Sequence, residues 1–338
     1  MKAHHIKRFN YFLLFFGVLI LIIFLITLDI NQVMISLSSI TLGMVLMVMS
    51  FNVLIIFLKA VRWQILIYEI ADVKPSLFFS FLSIIAGVAA GSLTPGRGTE
   101  IGKPLMLKTL YKISLTKTIP AMVLERILEF LTIVFFFFIS YIIVPKTNML
   151  YHKLIIPAVI LSILFILFVF FVPSKIERVI LIILKKIPFS PKLKSKLNAL
   201  VETQFNCIFL LKQKKVAFPL IILSLAGFIL ELVKFQILFM MFGVKMTLLF
   251  VCLSFTGSLI FALLTLVPGG IGVTEISFVA ILVKLLPKYR TELLTSVVIV
   301  DRMLTYYFLV ILGAIILILY RKKGNNIVVN QKQKDLYS

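Results

Sequence analysis

The chain has 338 residues, of which 61% are hydrophobic and 14% charged, and its formal net charge is +22. This composition excludes a soluble domain of that size and predicts an all-α polytopic membrane protein. The two cysteines, Cys207 and Cys252, have no paired spacing, so they predict neither a disulfide framework nor a metal site.

Six apolar runs are long enough to cross about 30 Å of hydrocarbon as helices. They are residues 11–28, 40–58, 119–144, 154–172, 218–241 and 293–320. The first run follows a basic N-terminus and has no small-residue cleavage site. We therefore expect it to be a retained helix rather than a signal peptide.

Basic residues indicate which loops face the cytoplasm. Residues 173–215 contain ten basic and two acidic side chains, residues 29–39 contain no Lys or Arg, and Arg321-Lys322-Lys323 follow the last run. The positive-inside rule therefore places the basic linker and both termini on the cytoplasmic side of the cell membrane. We expect the linker to contact the anionic leaflet surface rather than nucleic acid.

Two further apolar segments, residues 77–93 and 248–267, each lead into a Pro-Gly loop and a shorter second arm. If the first segment crossed the membrane, the basic stretch 103–117 would lie outside, against the positive-inside rule. We therefore predict two re-entrant helical hairpins, residues 77–110 from the cytoplasm and 248–286 from the opposite face. The alternative is eight complete crossings.

The sequence also contains an internal duplication. VRWQIL at residues 61–66 recurs as VKFQIL at 233–238, the loop at 95–100 recurs at 268–275, and Glu125-Arg126 recurs as Asp301-Arg302. The three matches occur in the same order and at nearly the same spacing, since the two copies lie 172, 173 and 176 residues apart. Together with the sides assigned from charge, they predict an inverted repeat with broken helices, which is a transporter architecture.

The predicted organisation is about eight membrane helices, read as six full spans plus two re-entrant hairpins. Its parts are an N-terminal span and outer loop (1–39), a first inverted repeat (40–144), a connecting span and basic linker (145–216), a second inverted repeat (217–320) and a polar cytoplasmic tail (321–338).

In each repeat the loop is predicted to lead into a helix that begins at Thr99-Glu100 or Thr274-Glu275, with the threonine as N-cap. Glycine permits backbone conformations and close approach that other residues obstruct. The loop-backbone candidates are Pro95, Gly96, Gly98, Pro268, Gly269, Gly270 and Gly272. Two helix N-termini directed into the membrane would favour an anion such as a lipid phosphate. Alternatively, Glu100 and Glu275 are structural caps.

Several charged residues lie inside predicted spans. They are Glu125, Arg126, Glu129, Glu231, Lys234, Asp301 and Arg302. A lipid-facing charge near the bilayer centre costs at least about 2.5–3.5 kcal/mol, so these residues must face protein, water or one another. Glu125 and Glu129 share a helix face, and Glu231 and Lys234 are spaced to pair. Lys59, Arg62 and Trp63 are predicted to be an interfacial anchor.

We predict charge balance or proton coupling for one set of these residues, namely Glu125, Glu129, Asp301, Glu231 and Lys234. Two neighbouring carboxylates in a poorly solvated site raise the proton affinity of at least one of them, which is how proton-coupled carriers obtain a titratable group. The alternative is an ion-pair network that joins the repeats.

Four segments together resemble the transmembrane-region family of lysylphosphatidylglycerol synthases: PGRGTE, the ER pair in VLERILEF, PGGIGVTE and the DR pair in VDRMLTYYFLVILG. The resemblance extends from about Lys59 to Gly313 and implies a lipid flippase-like fold. It also implies substrate-binding roles at the matching positions, which are Arg97, Glu100, Arg126, Glu275 and Arg302. The bifunctional members carry a soluble transfer domain after their spans, whereas a short polar tail follows Tyr320, so we expect no lysyl-lipid synthesis.

The leading hypothesis is a flippase that moves a phosphate-containing or polyprenyl-linked amphipathic lipid between leaflets. No phosphate-binding glycine loop, HExxH helix, GxSxG elbow or cysteine cluster occurs in the sequence, so we predict no enzyme activity and no cofactor. The alternative is a non-flipping membrane subunit or enzyme of envelope lipid or glycan synthesis. A glycosyltransferase or lipid-synthesis enzyme is the partner that we expect.

Overall fold

The computed structural model describes residues 30–94, 100–144, 191–265 and 267–320, so the predicted spans 11–28 and 154–172 lie outside the described residues. Those ranges form ten helices. They are α1 (Ile30–Ser38), α2 (Leu42–Ala71), α3 (Leu77–Gly91), α4 (Gly102–Leu110), α5 (Leu115–Ile143), α6 (Pro191–Leu210), α7 (Lys214–Met241), α8 (Leu248–Leu264), α9 (Val273–Leu285) and α10 (Thr291–Tyr320).

Four helices, α2, α5, α7 and α10, are long and apolar enough to cross a membrane. They contain 28 to 30 residues each and are therefore about 42–45 Å long. They confirm four of the predicted spans and an all-helical polytopic membrane protein. Three boundaries were wrong. Helix α2 continues to Ala71 instead of ending at residue 58, α5 begins at Leu115 instead of residue 119, and α7 begins at Lys214 instead of residue 218. In α2, Lys59 and Arg62, which suggested a helix end, pair with carboxylates of α5, so the helix continues through them.

The two shorter apolar helices, α3 and α8, each begin a hairpin. They have 15 and 17 residues, which corresponds to about 22 and 25 Å, and α4 has only nine residues. A tyrosine joins the two ends of each hairpin: the Tyr111 hydroxyl accepts a hydrogen bond from the Ser76 N–H at 3.1 Å, and the Tyr289 hydroxyl accepts one from the Lys245 N–H at 2.8 Å. The chain therefore enters and leaves each hairpin at the same end of the molecule.

The glutamines of the duplicated hexapeptides hold the entrance of each hairpin. Gln64 donates to the carbonyl oxygen of Pro75 at 2.5 Å, and Gln236 donates to that of Met246 at 3.4 Å. Each acceptor lies immediately before a hairpin. The duplicated residues therefore make equivalent contacts in the two halves of the chain.

The first helices of the two halves, α2 and α7, pack against each other and run antiparallel. Along α2, Val48 shares a core cluster with Leu238, Arg62 donates to Ser224, and Leu66 shares a cluster with Leu220. Residue numbers therefore rise along one helix as they fall along the other. The first helices of the two repeats therefore have opposite directions.

The bases of the two hairpins lie at opposite ends of α2. At one end, α2 follows α1, whose Gln32 accepts a hydrogen bond from Arg290 at the base of the second hairpin at 3.2 Å. At the other end, Gln64 contacts the entrance of the first hairpin. Because α2 is about 45 Å long, the hairpins approach from opposite sides of the helix bundle.

Each final helix packs on the hairpin of the other repeat. Helix α5 contacts α8, and the backbone of α10 at Gly313 lies so close to the Ile85 carbonyl in α3 that a Cβ at Gly313 would collide with it. In the second loop, a Cβ at Gly269 would lie 3.2 Å from the carbonyl oxygen of Ser92, which follows α3. The second loop therefore contacts the inner end of the first hairpin.

Two segments predicted as loop or linker contain helices. The predicted outer loop at residues 29–39 includes α1, because Val33 packs onto the protein and α1 contacts the start of α10. The basic linker within residues 145–216 includes α6, because Cys207 joins an apolar cluster with Leu66 and Leu124. Burial of an apolar face therefore stabilises both helices, even though neither segment is apolar enough to suggest a span.

A glycine in the first hairpin provides a test of this packing. A Cβ at Gly102 would lie 2.5 Å from the Ala86 carbonyl oxygen, whereas a Cβ at Gly227 in α7 would meet nothing within 4 Å. We expect Gly102→Ala to destabilise the protein by about 1–3 kcal/mol, because the backbones of α3 and α4 must separate. We expect the control Gly227→Ala to be neutral or slightly stabilising, since Ala favours helix more than Gly. Unfolding midpoints in detergent compare the two variants, and equal midpoints would contradict the close helix packing.

Candidate functional site

The first repeat contains a buried ion-pair network centred on Arg62 of α2. The guanidinium of Arg62 donates to Glu125 at 2.8 Å, to Glu129 at 2.6 Å and to the Ser224 hydroxyl at 2.9 Å. Glu125 also binds Lys103 of α4 at 2.6 Å. The predicted common face of Glu125 and Glu129 is confirmed, since one guanidinium reaches both.

The same network extends to the start of α4 through Glu100. The Glu100 carboxylate forms ion pairs with Lys103 and Arg126, and Arg126 also binds Glu129 at 2.7 Å. Because α2, α4 and α5 each contribute charged groups, the network fixes the first hairpin against two long helices.

The second repeat holds its charges in two separate groups. Lys234 of α7 binds Asp301 of α10 at 2.7 Å and Glu231 at 2.9 Å, which confirms the predicted pairing of Glu231 with Lys234. The guanidinium Nε of Arg302 lies 3.4 Å from a carboxylate oxygen of Glu275, the residue in the first turn of α9.

Two ion pairs are equivalent between the repeats. Arg62 with Glu125 corresponds to Lys234 with Asp301, because both cations occupy the second position of the duplicated hexapeptide and both acids precede an arginine. The pair of that arginine with the loop glutamate is also repeated, as Arg126 with Glu100 and Arg302 with Glu275. The duplication therefore preserves a pair of specific contacts.

The contact between Arg302 and Glu275 leaves polar atoms of both residues without a hydrogen bond to any described residue. Nε and Nη2 of Arg302 and both carboxylate oxygens of Glu275 make no hydrogen bond within the described part of the chain. Both residues are at least nine-tenths buried. A buried charged group strongly favours a hydrogen-bonding partner, so this pair has unused capacity for a polar ligand.

Other charged side chains form a half-exposed rim between α2, α5 and α7. The exposed fractions of the side chains are 40% for Lys59, 27% for Arg126, 24% for Glu231 and 19% for Glu129. Lys59 lies 3.9 Å from Glu129. The rim therefore includes side chains that also take part in the first network.

The second loop shows why its glycines are needed. Gly269, Gly270 and Gly272 have φ angles of +65°, +63° and +79°, a region that side chains with a Cβ disfavour. Pro268 precedes them and is buried. In the first loop, Pro95, Gly96, Arg97 and Gly98 lie outside the described residues, as does Thr99.

The predicted threonine cap of the second loop was wrong. Helix α9 begins at Val273 with Gly272 at its cap position, and the Thr274 hydroxyl donates to the Gly270 carbonyl at 2.8 Å. The cap at Gly272, which has a positive φ, lies two residues before the predicted threonine cap. Helix α4 likewise begins at Gly102, later than predicted, with Ile101 at the cap position.

The prediction that Arg62 and Trp63 belong to an interfacial anchor was also wrong. Trp63 is fully buried and Arg62 is 2% exposed, whereas an anchor presents its indole and cations to lipid headgroups. The sequence did indicate that Arg62 is buried, because Lys234, the equivalent residue of the second hexapeptide, was predicted to form an ion pair inside a span.

Sequence reasoning missed Lys103, which it treated as part of an exposed basic stretch. Lys103 is 1% exposed, and its amine also lies 5.3 Å from the centre of the Trp63 ring. Its position three residues after Glu100 was the available signal, since residues at that spacing share a helix face. Lys108, Lys112 and Lys117 are exposed, as the orientation argument assumed.

Comparisons with known proteins agree with this architecture. The family model described as the lysylphosphatidylglycerol synthase TM region matches residues 13–313. The chain is 25% identical over 314 residues to the UPF0104 membrane protein PH1989 of Pyrococcus horikoshii, a match that covers 88% of this chain and 93% of that protein. No solved structure matches the chain. The match over most of its length shows that the chain is an integral membrane protein of the lysylphosphatidylglycerol synthase TM region family.

Proposed function

We propose that this protein moves an amphipathic lipid with a phosphate-containing or polyprenyl-linked headgroup between the leaflets of the cell membrane. The observation that carries the proposal is the pair of equivalent charged contacts, Arg126 with Glu100 and Arg302 with Glu275, one in each inverted repeat. Each pair joins a hairpin to the last helix of its own repeat. A lipid headgroup that exchanges with these contacts would loosen one hairpin at a time.

The half-exposed rim supports a route for a polar headgroup. Lys59, Arg126, Glu129 and Glu231 all lie within helices that are long enough to span the membrane. A charge in contact with lipid at this depth costs about 2.5–3.5 kcal/mol or more, so partly exposed charges here favour a hydrated crevice. Such a crevice accepts a headgroup while the acyl chains remain in the bilayer.

The proposed arrangement has two re-entrant hairpins that enter from opposite faces, with both termini in the cytoplasm. The lengths of α3 and α8 support partial penetration, since about 22–25 Å is less than the hydrocarbon thickness of about 30 Å. Arg97, Arg126 and Arg302 are proposed to bind the phosphate. Glu125, Asp301 and their neighbours are proposed to balance charge or carry protons.

A liposome assay tests the transport proposal. Purified protein is reconstituted with fluorescent phosphatidylglycerol in one set of vesicles and with a fluorescent polyprenyl phosphate in another, each with and without a pH gradient. A membrane-impermeant reductant then quenches the label in the outer leaflet. We expect quenching of one lipid class to proceed beyond the outer-leaflet fraction in protein-containing vesicles.

Vesicles without protein give the background rate, and vesicles with heat-denatured protein control for leakage. If neither lipid class crosses faster than this background, with or without the gradient, the transport proposal fails. That result would favour a membrane subunit or enzyme of lipid-linked glycan synthesis that does not flip its lipid.

A further inference from the structure

A groove at the base of the second hairpin has no role in the lipid transport proposed above. It lies between the segment that enters α8 and the segment that leaves α9, and its volume is about 540 Å³. Its walls are mostly apolar and include Met246, Phe250 and Leu285, while Lys245 and Lys288 stand at its rim. The groove is open on one side, so a ligand in it would be only partly enclosed.

The two lysines are held next to each other by the hairpin base. The Tyr289 hydroxyl accepts a hydrogen bond from the backbone N–H of Lys245 at 2.8 Å, and Lys288 directly precedes Tyr289. The Lys288 amine also lies 4.9 Å from the centre of the Tyr289 ring. Both lysines are exposed, so their amines are available to a ligand in the groove.

The charge around the groove is strongly positive. Between residues 245 and 290 the sequence has four basic residues, Lys245, Lys284, Lys288 and Arg290, and one acidic residue, Glu275. Glu275 is buried beside Arg302, near the other end of α9. Glu292, two residues further on, lies 3.9 Å from Arg290 and offsets its charge. Lys245 and Lys288 form no ion pair with any described residue, so the rim still favours an anion.

We propose that this groove is a binding site for an anionic phospholipid of the adjacent leaflet. The lipid phosphate contacts Lys245 and Lys288, and the upper part of an acyl chain lies against Met246, Phe250 and Leu285. Helix α8 separates the groove from the second loop by about 25 Å, so this lipid is not in the transport position. The bound lipid fixes the hairpin base at the membrane surface.

Native mass spectrometry of the detergent-solubilised full chain tests the site. The protein is titrated with phosphatidylglycerol and, in parallel, with diacylglycerol, which has the acyl chains but no phosphate. We expect tighter binding of phosphatidylglycerol, and we expect Lys245→Gln/Lys288→Gln to weaken its first binding step about tenfold or more, since each lysine contributes on the order of 1 kcal/mol.

The control variant Lys108→Gln/Lys112→Gln removes the same charge from exposed lysines at the base of the first hairpin. It should leave the first binding step within about twofold of the unchanged protein, a difference of a few tenths of a kcal/mol. Equal weakening by both double variants, or equal binding of both lipids, overturns the groove assignment. The variant Glu275→Gln distinguishes this site from the proposed transport site. Because Glu275 lies near the other end of α9, the variant should bind phosphatidylglycerol in the groove as tightly as the unchanged protein does, whether or not it flips lipids.

Discussion

Replacing Lys234 with Met is expected to destabilise the protein by about 3–5 kcal/mol, because it leaves the Asp301 carboxylate buried without its cation. Lys234 is fully buried, Asp301 is 1% exposed, and their ion pair is 2.7 Å long. Glu231, the second partner of Lys234, is 24% exposed in its side chain and can regain water. Most of the lost stability therefore comes from the unpaired Asp301 carboxylate.

The double variant Lys234→Met/Asp301→Asn should recover most of this loss, since it removes the isolated charge as well as the pair. Lys196→Met, at an exposed position of α6, controls for the substitution itself and should change stability by less than about 0.5 kcal/mol. Unfolding in mixed micelles measures all three variants. A double variant as unstable as Lys234→Met would show that the charge balance of this pair does not determine the stability.

Replacing Arg302 with Gln is expected to slow lipid transport about 100-fold or more. The buried guanidinium has donors that no described residue accepts, and a hydrogen bond to a charged group contributes about 1.5–3 kcal/mol. Losing two such bonds to a phosphate would account for the roughly 100-fold slower transport, since each 1.4 kcal/mol is a factor of ten in rate. The liposome assay provides the initial rate.

Arg290→Gln is the matched control, because Arg290 has a side chain 67% exposed and makes a 3.9 Å contact with Glu292. It should transport at the unchanged rate. The double variant Glu275→Gln/Arg302→Gln should fold as stably as the unchanged protein, since it leaves no isolated charge, but it should still fail to transport. Normal transport by that double variant would make the pair a structural contact only.

The sequence predicted the long helices well because apolar length alone determines them. The spacing rules also found the Glu231–Lys234 pair and the common face of Glu125 and Glu129, since both depend on one helix only. The burial of Arg62 could not follow from spacing within its own helix, because its carboxylate partners lie 63 and 67 residues further along the chain. Such contacts require knowledge of how α2 packs against α5.

A local irregularity of α10 was also invisible in the sequence. Residues Met303–Tyr307 form a π-helical turn directly after Asp301 and Arg302, and Thr305 donates to the Asp301 carbonyl oxygen at 2.8 Å. Single π turns occur often at functional sites, where they reorient neighbouring side chains. No residue type in this segment marks such a turn, so sequence patterns predict an ordinary helix.

The opposite orientation proposed for the two repeats predicts that Lys108 and Lys288 lie on opposite sides of the membrane. Both residues are exposed at hairpin bases, so each can be replaced with cysteine without disturbing a buried contact. The native cysteines, Cys207 and Cys252, are buried. Burial raises the pKa of the Cys207 thiol to about 12, so at neutral pH this thiol stays protonated and reacts slowly.

The decisive measurement is labelling of the Lys108→Cys and Lys288→Cys variants with a membrane-impermeant maleimide, in intact cells and after lysis. The account predicts that Lys288→Cys reacts in intact cells, whereas Lys108→Cys reacts only after lysis. Labelling of both variants from the same side would contradict the inverted arrangement.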